Sequence, residues 1–147
     1  EMTELLLPDS TNMLGRALGG TILRWMDVCG AIAAMRFANR PCVTASIDHV
    51  DFIAPIDVGE IVSITAYVFN TGETSIDVKV DVQAEDAMSG DKRAATASFL
   101  TYVAVDGDGT PVPVPALSCT TDEETQLQAE AVAEREHELE RLVDRLA

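Results

Sequence analysis

The chain has 147 residues, which is enough for one domain with its own core. Hydrophobic residues make up 47% of the sequence, a proportion that excludes a disordered chain. The 25 acidic and 10 basic residues give a formal charge of −15, which excludes a basic nucleic-acid-binding surface.

The first predicted element is a short strand over residues 1–7, which Pro8 ends. A loop rich in polar residues and glycine follows, as far as Gly20. From Thr21 to Ala38 apolar side chains cover nearly every direction around a helical axis, which is typical of a helix buried all round. We expect this helix to cross the domain and to end before Pro41.

After the helix, the apolar period changes to two. This alternation predicts four strands, over residues 43–53, 60–70, 74–85 and 92–106. Glycine-bearing turns separate the later strands, which indicates an antiparallel meander. In the strand over 74–85, isoleucine and valine alternate with Asp77, Lys79 and Asp81, so we expect one face of that strand to be buried.

The predicted elements divide the chain into three segments. Residues 1–106 form the domain, and residues 107–120 form an extended connector rich in proline and glycine. A polar helix is predicted over residues 121–147, and its start has capping-box spacing between Thr121 and Glu124. We expect this accessory helix to lie on the domain or on a neighbouring subunit.

Cysteine spacing and hydropathy indicate the compartment. The three cysteines have neither disulfide-framework nor zinc-site spacing, so we expect no metal. No membrane span or signal peptide is expected either, which favours a reducing cytoplasm. The acidity fits either an ordinary solvated surface or adaptation to high cytoplasmic salt. We favour the second, because only two of the basic residues are lysines.

The order of elements predicts an α+β fold. A curled antiparallel sheet of about five strands would surround one central helix, with the C-terminal helix as an accessory. Such a sheet has two edge strands, and the sequence has few features that protect them from pairing. We therefore expect dimerisation that joins two sheets edge to edge.

The ordered motifs resemble the hotdog-fold acyl-CoA thioesterases, and more narrowly the cytosolic acyl-CoA hydrolase branch, from about residue 9 to 115. The matching residues are Asn12, Gly15, Gly19-Gly20, Trp25-Met26-Asp27, the run from Val43 to Asp48, Phe52, Pro55-Ile56, Gly59-Glu60, the run from Gly72 to Ser75, and Ala95-Thr96 through Asp106. Two positions depart from this pattern. Leu18 stands where relatives often carry an aromatic residue or histidine, and Glu73 stands where they often carry a basic residue.

Thioester hydrolysis needs a group that activates water or attacks the carbonyl, and a donor that stabilises the oxyanion. Gly19 and Gly20 lie at the start of the central helix, where unpaired N–H groups and the positive end of the dipole converge. We predict that the Gly20 N–H is the oxyanion donor. The alternative is that the two glycines only let the chain turn sharply and pack.

Asp27 is the predicted general base or nucleophile, since a carboxylate in an apolar helix is usually paired or chemically employed. The alternative is an ion pair with Arg24, three residues earlier. Asn12 is predicted to donate to an oxyanion or to orient water, and its alternative is an Asx-type turn. The resemblance implies that Asn12 and Asp27 face each other from different subunits.

Other residues complete the predicted site. Thr44, Ser46 and Asp48 alternate onto one face of their strand, where Thr44 and Ser46 either support the site or form a polar ladder. The resemblance places Gly72, Thr74 and Ser75 beside the pantetheine arm of coenzyme A. Arg93 is included as a candidate for the phosphates, and the choice among the basic residues stays open.

These interpretations predict a homo-oligomeric acyl-CoA thioesterase that needs no metal or cofactor and releases fatty acid and coenzyme A. Dimers are the minimum, and the resemblance implies trimers of dimers. One alternative is a hotdog hydratase or dehydratase. Those enzymes carry a histidine five residues after the aspartate, where this chain has Ile32. A second alternative is a non-catalytic acyl-CoA sensor, which normally needs an output domain.

Overall fold

A computed structural model describes residues 1–146. The elements in chain order are β1 (Met2–Leu5), a short 3-10 helix (Pro8–Ser10), α1 (Gly19–Ala38), β2 (Cys42–Ile47), β3 (Ile61–Thr71), β4 (Ser75–Glu85), β5 (Lys92–Ala104) and α2 (Asp122–Leu146). The predicted helices and strands are therefore all present, with bounds that differ by a few residues. The last residue of the predicted C-terminal helix, 147, lies outside the described part of the chain.

The five strands form one antiparallel sheet in the order β1-β3-β4-β5-β2. Helix α1 packs across one face of this sheet and contacts β2, β3, β4 and β5. The alternating apolar residues of the strands and one side of α1 make the core, which includes Ile22, Met26, Ile64, Val78, Val80 and Leu100. The predicted architecture, a sheet curled around a central helix, is confirmed.

Helix α2 packs on the opposite face of the sheet. Lys79 on β4 forms an ion pair with Glu134 of α2, with 2.6 Å between Nζ and Oε2. Beside it, the rings of Phe69 and Phe99 meet edge to face at 5.5 Å and pack against Ala131. The charged side of β4 is therefore covered by α2 rather than left in solvent.

The central helix differs from its prediction in two ways. It begins at Gly19 rather than Thr21, and its N-cap residue, Leu18, offers no side-chain hydrogen bond. It is also not buried all round within one chain, because the sheet covers only one side. Val28 and Met35 on α1 are 41% and 38% exposed.

Strand β2 ends at Ile47, six residues before the predicted end at residue 53. Beyond Ile47, side-chain hydroxyls of β5 replace much of the backbone ladder. Ser98 Oγ donates to the carbonyl of Asp48 at 3.2 Å, and Thr96 Oγ1 donates to that of Asp51 at 2.6 Å. Residues 48–60 therefore form an irregular segment along β5.

Neither helix within residues 1–146 combines the length and the apolar character that crossing a bilayer requires.

Candidate active site

Asp27 lies on the side of α1 that faces β2 and β5. Thr44 Oγ1 on β2 donates a hydrogen bond to Asp27 Oδ1 at 2.7 Å, and the Tyr102 hydroxyl on β5 lies 3.1 Å from the same oxygen. Within residues 1–146, Oδ2 of Asp27 accepts no hydrogen bond, and Arg24 forms no ion pair with it. One carboxylate oxygen is thus fixed while the other is available.

Tyr102 is a site residue that the sequence analysis missed. Its side chain is fully buried, and its hydroxyl lies 2.8 Å from the backbone carbonyl oxygen of Asp27 as well as near Oδ1. Burial, reinforced by the neighbouring Asp27 carboxylate, raises the pKa of the Tyr102 phenol well above its usual range. The phenol therefore stays neutral and acts as a hydrogen-bond donor toward Asp27.

A glycine makes room for this phenol. A Cβ atom added to Gly30, one helical turn after Asp27, would lie 2.4 Å from the Tyr102 hydroxyl. Glycine inside a helix usually lowers stability, so its presence here has a packing reason. This glycine is the local signal in the sequence that marks a close approach to α1.

The first two residues of α1 are Gly19 and Gly20. Within residues 1–146 neither of their N–H groups donates a hydrogen bond, and the space around Gly20 is open, with no atom within 4 Å of an added Cβ. Neither glycine has a positive φ, so the sharp-turn alternative does not explain them. Gly19 accommodates the Phe52 ring, which approaches an added Cβ to 3.4 Å, so the packing half of the alternative applies to Gly19.

Asn12 forms the Asx-type turn that was the alternative to a catalytic role. Its side-chain oxygen accepts the N–H groups of Leu14 at 2.9 Å and Arg16 at 3.2 Å. This turn fixes the amide group, and its NH₂ donates to no other group in residues 1–146. No hydrogen bond joins Asn12 to Asp27 within this described part of the chain. The Asx turn and a donor role are compatible, because they use different atoms of the amide.

The prediction that Thr44, Ser46 and Asp48 share one face is wrong. A bulge between Thr44 and Ser46 pairs Thr44 with Tyr102 but Ser46 with Thr101. Successive residues of β5 point to opposite faces, so the bulge sends Ser46 to the side covered by α2. Asp48 lies on that side too, where it forms an ion pair with Arg135. Thr44 is the member of this predicted set that reaches Asp27.

Gly72, Thr74 and Ser75 form the turn from β3 to β4. The Gly72 N–H donates to the Ser75 carbonyl at 2.9 Å, and the Thr74 carbonyl accepts the N–H of Ala104 at 3.1 Å. An added Cβ at Gly72 would lie 2.4 Å from Ser75 Oγ, so this turn is tightly packed. The contact of this turn with coenzyme A stays a prediction.

Arg93 lies at the other end of the sheet. It pairs with Ala84 on β4, nine residues beyond Ser75, which is about 30 Å along the strand. Its guanidinium donates two hydrogen bonds to Glu60, at 2.7 and 2.6 Å, and one to the Pro55 carbonyl at 2.6 Å. Within one chain the structure does not bring Arg93 to the turn, and its side chain is already engaged.

A cavity of about 660 Å³ lies away from Asp27, between α2 and the irregular segment after β2. It is lined by His49, Asp51 and Ser98, a combination of residue types found in catalytic triads. His49 Nε2 lies 2.9 Å from Asp51 Oδ1, but Ser98 Oγ donates to the backbone carbonyls of residues 48 and 49. These three residues are therefore not hydrogen-bonded as a triad.

Among residues 1–146, no group of three or more His, Cys, Asp or Glu side chains is arranged to hold a metal ion.

Comparison with known proteins places this geometry in a family. The model of the thioesterase superfamily matches residues 14–90. A Haemophilus influenzae protein named as an uncharacterized acyl-CoA thioester hydrolase is 36% identical over 105 residues, which are 69% of this chain and 68% of that protein. A Bacillus subtilis protein with the same kind of name is 38% identical over 104 residues, which are 71% of this chain and 60% of its own length.

Solved structures agree along most of the chain. The structure of an apo-hexameric acyl-CoA thioesterase has a TM-score of 0.85 and 42% identity, covering 96% of this chain and 90% of that one. An acyl-CoA hydrolase from Staphylococcus aureus, solved in complex with butyryl coenzyme A and coenzyme A, has a TM-score of 0.83 and 33% identity, covering 98% and 88% of the two chains.

Variants of the Staphylococcus aureus hydrolase replace an Asp, a Thr or an Asn by Ala. In that enzyme the Asn lies 15 residues before the Asp, and the Thr lies 17 residues after it. The same spacings separate Asn12, Asp27 and Thr44 here. The family model covers more than half of this chain, and the Haemophilus influenzae relative is 36% identical and matched over 68% of its own length, so the chain belongs to the thioesterase superfamily.

Proposed function

We propose that this protein is an acyl-CoA thioesterase, which hydrolyses the thioester of acyl-CoA to a free fatty acid and coenzyme A. The observation that carries the proposal is the state of the Asp27 carboxylate. Thr44 holds Oδ1 at 2.7 Å, and Oδ2 accepts no hydrogen bond from residues 1–146. A carboxylate that is fixed on one side and open on the other is suited to take a proton from water or to attack a carbonyl.

In the proposed reaction, water attacks the thioester carbonyl carbon while Oδ2 of Asp27 accepts its proton. The electron pair of the carbonyl moves to oxygen, where the Gly20 N–H and the Asn12 NH₂ stabilise the oxyanion. The carbonyl then re-forms as the C–S bond breaks, and the leaving thiolate takes the proton from Oδ2 of Asp27, which restores the carboxylate. Gly20 and Asp27 of one chain lie about 10 Å apart along the helix axis. A carbonyl held at Gly20 therefore reaches that Asp27 through an intervening water, which favours the general-base role over direct attack.

Coenzyme A recognition is assigned to the turn that contains Gly72, Thr74 and Ser75, which we propose contacts the pantetheine arm. The reaction uses a carboxylate, backbone donors and water, so we propose that it needs no metal or other cofactor. Release of free thiol from acyl-CoAs of graded chain length measures the activity.

The sharpest test of the proposed chemistry is Asp27→Asn, which keeps the shape of the side chain but removes the proton acceptor. We expect kcat to fall by about 10² to 10⁴. Asp9→Asn, at an exposed position without a side-chain hydrogen bond in residues 1–146, is the matched control. Near-normal turnover by the Asp27 variant would contradict the mechanism. Hydration of a 2-enoyl-CoA would indicate a hydratase, and binding without turnover would indicate a sensor.

We propose that the active form is at least a dimer and that dimers assemble in threes. Support comes from apolar side chains left exposed on α1 and on edge strand β2, where Val28 is 41% and Val43 is 50% exposed. Solved relatives are described as hexameric. Light scattering behind size-exclusion chromatography tests this assembly.

Subunit mixing tests whether Asn12 and Asp27 act across an interface. In a mixed dimer of Asp27→Asn and Asn12→Ala subunits, one of the two sites has both native side chains if they come from different subunits. We expect activity to reappear after mixing and refolding the two inactive variants. No recovery despite mixed dimers would place the two residues in the same chain.

We propose a cytoplasmic enzyme that works at high salt. In molar salt the Debye length is about 3 Å, so the charge of −15 does not repel an anionic substrate. We expect the melting temperature and the turnover number to be higher in about 2 M than in about 0.1 M KCl. Loss of activity in the concentrated salt would favour an ordinary acidic surface.

A further inference from the structure

The most specific contact around Asp27 comes from a buried phenol. Tyr102 is 0% exposed, and its hydroxyl lies 2.8 Å from the Asp27 carbonyl oxygen and 3.1 Å from Oδ1. The carbonyl lies inside α1, where the N–H four residues later is its regular partner. The carbonyl therefore has a partner without the phenol, so the contact to be explained is the one between the phenol and the Asp27 carboxylate.

Two neighbouring strands bring donors to one oxygen atom. The register of β2 and β5 places Thr44 directly opposite Tyr102, and both hydroxyls converge on Asp27 Oδ1. The glycine at position 30 opens the helix surface for this phenol, since any Cβ there would collide with its oxygen. The cluster thus combines a register, a glycine and two hydroxyls from distant parts of the sequence.

We propose that Tyr102 is a positioning residue for the hydrolysis, which holds Asp27 Oδ1 so that Oδ2 of the ionised carboxylate is the reacting oxygen. The inference rests on the proposed function. The phenol has one proton to share between two acceptors. While Asp27 is ionised, Oδ1 attracts that proton. After Oδ2 takes a proton from water, the proton of the phenol moves toward the carbonyl at 2.8 Å. No buried polar group is left without a partner at either stage.

The hydrogen bond between Tyr102 and Asp27 has few titratable groups near it. Thr44 on β2 has no charge, and the titratable groups near the Tyr102 hydroxyl are Asp27 and the Cys29 thiol. Burial raises the pKa of Cys29, so this thiol stays neutral in the working range. A change in rate after removal of the phenol hydroxyl is therefore attributable to its contact with Asp27 rather than to another charged group.

The test is Tyr102→Phe, which removes one oxygen and keeps the ring. We expect kcat to fall about tenfold to a hundredfold with KM within about twofold of the native value. Tyr67→Phe is the matched control. Tyr67 is the other tyrosine of the chain, and it packs beside Phe69 and Ala131 under α2.

A measurement without substrate keeps the two proposals separate. Carbon NMR of the Asp27 carboxyl group at neutral pH, assigned by the loss of its signal in Asp27→Asn, should show a different carboxyl chemical shift in Tyr102→Phe than in the native protein, because the carboxylate loses a donor. The shift in Tyr67→Phe should equal that of the native protein. If the native protein releases no thiol, the proposed function fails, and the NMR result still decides whether Tyr102 holds the ionised carboxylate. An unchanged carboxyl chemical shift, or an unchanged rate in an active enzyme, would overturn the inference.

A second variant covers a failure of Tyr102→Phe to fold. Gly30→Ala would place a Cβ 2.4 Å from the Tyr102 hydroxyl and 3.1 Å from its buried ring, so the ring must shift and the hydroxyl moves away from Asp27, while the gain in helix propensity offsets part of the packing cost. We expect a folded protein with a loss of kcat similar to that of Tyr102→Phe, and little further loss when the two changes are combined. A native rate in Gly30→Ala, or fully additive losses in the double variant, would count against the positioning role.

Discussion

The ion pair between Arg93 and Glu60 gives a prediction that separates structural from substrate-binding roles. Glu60 is 8% exposed, and its carboxylate accepts two hydrogen bonds from Arg93 and one from the Asp57 N–H at 2.7 Å. Arg93 also donates to Pro55, so the pair fixes the segment from 55 to 60. The carbonyl of Ile56 in this segment accepts the N–H of residue 17 at 2.8 Å, just before α1.

The perturbation is Arg93→Ala, which leaves Glu60 with one backbone donor. Removing one member of a fully buried ion pair costs about 3 to 5 kcal/mol. The Arg93 side chain is 39% exposed, so solvent screens the pair, and we expect a loss of about 2 kcal/mol. For a chain of this length, that corresponds to a melting temperature about 6 °C lower. Lys92→Ala is the control, because this exposed neighbour is 3.9 Å from Glu85 and should cost less than about 0.5 kcal/mol.

The pH dependence of this loss has a definite sign. Hydrogen bonds from Arg93 hold the pKa of Glu60 below its usual range. A depressed carboxyl pKa stabilises the folded state above the unfolded-state value of about 4.3, and this contribution is lost as the pH falls through the folded-state pKa. The difference between the native protein and Arg93→Ala should therefore be complete at neutral pH and should shrink as the solution is acidified below about pH 4.

Urea unfolding at a fixed protein concentration, repeated from neutral to acidic pH, measures that difference. In parallel, KM for acyl-CoA should be unchanged at a temperature where both proteins are folded. Equal stability at neutral pH would refute the structural argument. Equal stability together with a higher KM would instead support the contact with coenzyme A that the sequence predicted for Arg93.

Two more predictions concern the ends of the fold. Gly20→Pro removes the proposed oxyanion donor in the first turn of the helix, where proline is tolerated, so we expect kcat to fall about 10² to 10³ with a small change in melting temperature. Gly20→Ala keeps the N–H, and its Cβ enters open space, so this control should retain activity. Equal activity of the two variants would exclude this donor. Arg135→Met removes the cation that α2 places 3.1 Å from both Asp48 and Asp77. We expect the free energy of unfolding in urea to fall by about 3 kcal/mol, because two carboxylates would remain partly buried without their partner. A native unfolding curve would mean that these ion pairs contribute little to stability.

Local patterns were sufficient for most of the fold. The periods of the apolar residues predicted one central helix and five strands, because which face of an element is buried is set by spacing within that element. The same patterns do not show which element packs on the polar face of a strand. The alternation of Asp77 and Lys79 with apolar residues gave the correct two sides of β4, yet its charged side is covered by α2 through Arg135 and Glu134.

The candidate site was predictable where one segment carried the chemistry. Asp27 and the glycines before it lie in a single stretch, and their order indicated both an acceptor and a helix N-terminus. Thr44 was included for a reason that the structure does not support, since the bulge after it separates it from Ser46. No glycine or proline marks this bulge. It follows from how β2 pairs with β5, more than 50 residues later.

Tyr102 shows why the rest of the site could not be predicted from the sequence. It meets Asp27 across 75 residues of sequence, and its own strand only predicts a buried aromatic side chain. The glycine three residues after Asp27 was visible, but a glycine in a helix indicates only that something comes close, not which residue does. Its partner is fixed by how α1 packs on β5, which brings Tyr102 against that glycine beside Thr44. Because Thr44 reaches the carboxylate only in that register, a one-residue slip of β2 against β5 would remove the Thr44 contact, whereas the Tyr102 contact depends on how α1 packs on β5.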